Sequence, residues 1–118
     1  MLQLLDDGSG ATSRLTEVEV ASALCRRCRE GAFGLKNRDR ALSALREDMS
    51  SLYIVEFTRD VSLLTYKILS RYPLRAGDAI QLASCLYLRE RSGISPRFVG
   101  YDTRLNEVVR ELGLEVLV

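Results

Sequence analysis

The chain contains no histidine. That single absence removes Ser-His and Cys-His nucleophile activation, histidine acid–base chemistry and histidine-bound transition metals together. Any catalysis must lean on carboxylates, Lys, Tyr, Ser or a hard cation. Cysteine is scarce: Cys25, Cys28 and Cys85 are the only three, the first two in a C-R-R-C run. A structural zinc site takes four ligands, and three cysteines without histidine do not supply them. A redox C-x-x-C is expected just after a strand at the start of a helix, whereas this one lies deep in a helical pattern. All three cysteines therefore read as small apolar core residues. No apolar run approaches the ~20 residues of a membrane-spanning helix, and the opening Met1-Leu2-Gln3-Leu4-Leu5-Asp6-Asp7 has no basic leader region. No membrane role and a cytoplasmic location are the expectations. An excess of one charge is also lacking, since 17 Lys and Arg face 16 Asp and Glu for a net +1. Such a balance neither predicts nor excludes nucleic-acid binding, because an enzyme that cuts RNA can work with a local basic strip. One such strip is present: Arg26, Arg27, Arg29, Lys36, Arg38 and Arg40, interrupted only by Glu30 and Asp39. A solvated helix face and loop would give the same run.

What is there fits one core. A chain of 118 residues is too short for two ordinary domains, so residues 1–118 are expected to form a single domain. An apolar fraction of 47% with 28% charged is that of a globular protein.

Residues 1–10 read as a fragment of helix ending in an Asp-Asp-Gly-Ser-Gly turn, and Ala11 to Ser13 as a very short strand. From Thr16 to Glu30, Val18, Ala21, Leu24, Cys25 and Cys28 recur at helical spacing. Ser13 or Thr16 can cap this helix, and Thr16 with Glu19 matches the S/T-x-x-E capping box. Gly31 and Gly34 break the pattern. Asn37 to Met49 resumes it with Ala41, Leu42, Leu45 and Met49 inward. Leu52 to Phe57 reads as a buried strand. A third helix runs from Asp60 to Arg71 with Val61, Leu64, Ile68 and either Tyr66 or Leu63 inward, and Pro73 stops it. A fourth starts near Gly77 and is apolar enough through Leu88 to lie between a sheet and other helices. Arg97 to Tyr101 is a short strand ending at Asp102; a helix from Thr103 to Leu112 and a strand from Leu114 to Val118 follow. Strands alternating with helices predict an α/β fold with a parallel or mostly parallel sheet.

Asp102 stands at the carboxyl end of a predicted parallel strand, where open α/β sheets place their binding crevices; the same position suits a cap for the next helix. Asp78 lies in the first turn of its helix, where the macrodipole favours a carboxylate by roughly 0.3 to 1 kcal/mol. Glu17 and Glu19 are about 200° apart around their helix, so only one can face a common site. Carboxylates gathered at one sheet end repel each other unless a cation sits between them, and Mg²⁺ or Mn²⁺ suits their oxygens. Such an ion supports phosphodiester cleavage.

Three segments carry a resemblance: Ser13-Arg14-Leu15-Thr16-Glu17-Val18-Glu19, Leu74-Arg75-Ala76-Gly77-Asp78-Ala79-Ile80-Gln81-Leu82-Ala83, and Phe98-Val99-Gly100-Tyr101-Asp102-Thr103-Arg104-Leu105. In order and spacing they resemble a PIN domain, most closely the VapC toxins of bacterial toxin–antitoxin pairs. The resemblance implies a three-layer α/β/α fold and Mg²⁺- or Mn²⁺-dependent endoribonuclease activity on an RNA substrate. It also implies a homodimer and inhibition by a small VapB-like antitoxin. Carried over by position, the second, third and fourth family acids fall on Glu19, Asp78 and Asp102, as catalytic and metal-binding residues, and Glu17 becomes a capping or surface residue.

The departure lies at the start. The family opens with a central strand ending in an Asp, then a helix, before the segment at Ser13, and only ten residues precede Ala11 here. Asp6 and Asp7 follow Leu-Gln-Leu-Leu, a stretch that looks like the end of the missing strand's helix. The expectations are an absent opening strand, a chain that begins inside the domain, or a gap closed by dimerising or rearranging; exposed strand edges would otherwise invite association. Two functions follow: a ribonuclease impaired by loss of the first acid, or a catalytically inactive module that binds an antitoxin or itself. A receiver-like module ranks behind both, as no glycine-rich phosphate loop follows a strand.

Overall fold

The computed structural model describes residues 2–5, 9–100 and 102–117. The elements in chain order are β1 (Leu2–Leu4), β2 (Gly10–Ser13), α1 (Arg14–Arg29), α2 (Leu35–Ser50), β3 (Tyr53–Val55), α3 (Arg59–Arg71), α4 (Ala76–Ser92), β4 (Arg97–Val99), α5 (Thr103–Glu111) and β5 (Val116–Leu117). They form the expected α/β fold. The strands make one sheet in the order β3-β2-β1-β4-β5. β2 pairs parallel with β3, β4 pairs parallel with β5, and β1 runs antiparallel to both β2 and β4. Hence β2, β3, β4 and β5 point one way, and the central strand points the other.

That central strand corrects the reading of residues 1–10. Leu2–Leu4 is a strand and not the end of a helix. It fills the middle of the sheet, pairing Gln3 with Ala11 on one side and with Phe98 on the other. Among the described residues no parallel opening strand precedes β2, so the gap expected at the centre is closed by a reversed segment. The edge hazard is removed from the two neighbours, because β1 satisfies the backbone groups they turn toward it.

The core gathers around α4. Ala79, Leu82, Ala83 and Cys85 are wholly buried there, with Ala11 of β2, Phe98 of β4, Val61 of α3, and Leu105 and Val109 of α5. The near-continuous burial from Gln81 to Leu86 is that of a helix covered on more than one side, as its apolar sequence predicts. Gly93, at φ +71, closes α4 in the left-handed conformation that glycine adopts without a Cβ clash.

The other helices are covered less than their stripes suggest. No residue of α1 is buried: Val18 is 62% exposed, and Ala21, Leu24, Cys25 and Cys28, the rest of the predicted inward face, are half-buried. Of the α2 stripe only Met49 is buried. On α3, Val61 and Ile68 turn inward as expected, but Thr65 joins them, while Leu63 and Tyr66 face solvent. Cys25 and Cys28 are only half-buried, and Cys85 alone behaves as a core residue. Burial pushes the Cys85 thiol up to about 12, which leaves it an inert apolar side chain.

Candidate functional site

The parallel strands β2 and β4 deliver their carboxyl ends to the same end of the sheet, and α1 and α5 begin there. Ser13, the last residue of β2, caps α1 by accepting a hydrogen bond from the Leu15 amide at 3.1 Å. The capping box built on Thr16 and Glu19 does not form. Thr16 is freed to meet Thr12, with their hydroxyl oxygens 2.8 Å apart. Glu19, one turn later, is freed to turn toward α4.

The first turns of α4 are shaped to receive it. The Gln81 side-chain amide donates from Nε2 to Glu19 Oε1 at 2.8 Å and to Thr16 Oγ1 at 2.9 Å. Gly77 lies one helical turn earlier on the same helix. A Cβ built on it would stand 3.2 Å from Glu19 Oε2, so the absence of a side chain leaves room for the carboxylate. Asp78 follows directly and is half-buried.

Asp102 arrives from the other side. It is the N-cap of α5 and accepts from the Leu105 amide through Oδ1 at 2.9 Å. Asn106, one turn along, donates from Nδ2 to the Gly100 carbonyl at 2.9 Å and ties α5 to the end of β4. Asp102 thus caps a helix and also lines a cavity shared with Asp78.

Electrostatics links the three acids. Asp78 has its pKa raised, first by desolvation and then by the charges of Asp102 and Glu19, with Arg75 opposing. Asp78 is therefore within the field of both other carboxylates. Among the described residues, however, no three such side chains close up into a ready-made metal cage. The donor chemistry still fits Mg²⁺ or Mn²⁺. Mg²⁺ usually keeps several waters and takes only one or two protein carboxylates, and no donor among the described residues meets Glu19 Oε2.

Two cavities flank Asp78. One, of about 290 Å³, is lined by Asp78, Asp102, Arg75 and Arg104 with Pro73 and Leu74. The other, of about 360 Å³, runs from Glu19, Asp78 and Gln81 along Val20, Ala23 and Leu24 to Arg27. From the basic strip, then, only Arg27 borders the acids. Lys36 and Arg40 line a separate groove on α2, and Arg38 pairs with Asp39 at 2.9 Å. Glu17 is not part of the site; it shares Arg14 with Glu56 at 2.9 and 2.7 Å, joining α1 to the end of β3.

Arg75, Arg104, Gln81 and Gly77 were not singled out by sequence reasoning. Each lies within four residues of Asp78 or Asp102, so proximity to the acidic motifs was the available signal. Asp6 and Asp7 lie outside the described residues. The carboxyl end of β1 is at the sheet end opposite to those of β2 and β4.

A family model for the PIN domain matches residues 1–111. No curated protein matches the chain.

Proposed function

Because the chain belongs to the PIN domain family, whose members are in general nucleases that bind RNA and use divalent metal ions, we propose that it is a metal-dependent endoribonuclease of the VapC toxin type. Glu19, Asp78 and Asp102 are its metal-binding and catalytic residues, and Mg²⁺ or Mn²⁺ is the ion. The observation that carries this reading is the place of Asp78, which lines one cavity together with Asp102 and the adjoining one together with Glu19. Three carboxylates from α1, α4 and the start of α5 share one field, and like charges so arranged favour a divalent cation.

The residues divide the work as follows. Asp78 sits between the two cavities and is the shared ligand. Glu19 and Asp102 would complete the ion's surroundings, by a carboxylate oxygen or through a water the ion retains. Arg75 and Arg104, beside Asp78 and Asp102, bind and orient the phosphate of the scissile linkage. Arg27, at the far end of the second cavity, holds a neighbouring phosphate of the strand. When bound, the cation supplies positive charge to the transition state of phosphodiester hydrolysis and makes water a better nucleophile. No helix among the described residues is long and apolar enough to cross a membrane. A cytoplasmic single-domain protein with a VapB-like antitoxin and a homodimeric state completes the VapC reading.

A second reading is an inactive PIN module that retains its partner binding. It is favoured by the reversed β1, whose carboxyl end lies at the sheet end opposite to those of β2 and β4. The two readings part on turnover: the first expects RNA cleavage with Mn²⁺ that disappears in Asp78→Asn and Asp102→Asn. The second expects antitoxin binding without cleavage.

A further inference from the structure

We propose that Gln81 is the positioning residue of this site, fixing Glu19 for the cation; the proposal rests on the reading of Glu19 as a metal ligand. Gln81 is 1% exposed, in the middle of the buried stretch of α4. Both of its side-chain N–H bonds are used, on Glu19 Oε1 and on Thr16 Oγ1. The amide has only one sensible orientation, since an ionised carboxylate accepts and does not donate. Its Oε1 is then turned away from Glu19 and has no hydrogen-bond partner among the described residues.

A buried acceptor without a partner carries a free-energy cost. A leucine or methionine would fill the same space in α4 without that cost. Packing therefore does not account for an amide at this position, and the carboxylate in front of it does. Glu19 needs such a hold, because it projects from a helix with no buried residue and is itself exposed. A free glutamate side chain would lose rotamer freedom on binding an ion. Gln81 imposes that order beforehand. Gly77, one turn away, leaves the space into which Oε2 is directed. The G-D-x-x-Q run from Gly77 to Gln81 thus supplies a gap, an acid and a clamp from successive positions of one helix.

The experiment is a Mn²⁺ titration by calorimetry on the whole chain, on Gln81→Met, on Glu19→Ala and on the double variant, each with its Tm recorded. Loss of a hydrogen bond that orients a metal ligand typically weakens metal affinity about 10- to 100-fold. Gln81→Met is expected to show that loss with Tm close to the parent's, and to add nothing in the Glu19→Ala background. A Gln81→Met variant that binds Mn²⁺ like the parent overturns the proposal. So does an equal loss in both backgrounds, which would mean that Gln81 acts through the fold and not through Glu19. Gly77→Ala tests the same geometry from the other side of the carboxylate without touching the core; it too should weaken Mn²⁺ binding, and unchanged affinity there counts against the clamp. A parent chain that binds no Mn²⁺ overturns the metal reading itself, an outcome distinct from all of these.

Discussion

Asp102 caps α5 and is the proposed metal ligand, two roles that substitution can separate. Asp102→Asn keeps an oxygen for the Leu105 amide and loses the charge, whereas Asp102→Ala loses both. Asp102→Asn is expected to retain the parent's stability and abolish Mn²⁺-dependent cleavage, and Asp102→Ala to lose a further 0.5–2 kcal/mol, as is typical of N-caps; urea unfolding of the two variants checks this. Asp78 gives a pH signature. Its raised pKa means that the folded chain binds this proton more tightly than the unfolded chain does, so stability falls as pH climbs from the ordinary value of 3.8 through the raised one. Asp78→Asn should therefore raise Tm near neutral pH and flatten the dependence, and thermal melts between about pH 4 and about pH 7 would show it. A Tm that drops at neutral pH would contradict the desolvation argument. At this scale the placement of Asp78 in the first turn of α4 and of Asp102 at the start of α5 was legible, because both follow from local pattern. Gln81 was not legible, because its meaning depends on Glu19 being 62 positions away in the chain and 2.8 Å away in space.

The elements show where local pattern stops deciding. The five helices were legible as helices because apolar spacing runs through each of them. Whether anything covers the apolar side is a tertiary matter, and α1 shows the gap: its stripe is real, yet the hairpin it forms with α2 leaves every residue of α1 at least partly open. β1 was misread for a related reason. Three residues are too few to show the alternation of a strand, and pairing partners fix both their conformation and their direction. The same strand offers a test. Gln3 pairs with Ala11 and Phe98 at the centre of the sheet, is 0% exposed, and has no partner for Nε2 or Oε1 among the described residues. Gln3→Met is expected to stabilise the chain by about 1–3 kcal/mol, the usual cost of an unpaired buried polar group, read as a higher urea midpoint. A lower midpoint would mean that residues 2–4 do not occupy the centre of the sheet.

At the scale of the molecule, β2 and β4 bring α1, α4 and α5 to one end of the sheet, and that convergence places Glu19, Asp78 and Asp102, far apart in sequence, around two adjoining cavities. The reversed β1 fills the middle of that sheet, with its carboxyl end at the opposite end. Glu19, Asp78 and Asp102 are proposed to support metal-dependent cleavage. The most direct measurement is hydrolysis of a labelled single-stranded RNA by the purified chain with Mn²⁺, with excess chelator, and with Asp78→Asn in place of the parent. The account predicts cleavage by the parent with Mn²⁺ that chelator stops and Asp78→Asn lacks. No cleavage by a folded, Mn²⁺-loaded parent, or cleavage undiminished in Asp78→Asn, would contradict it.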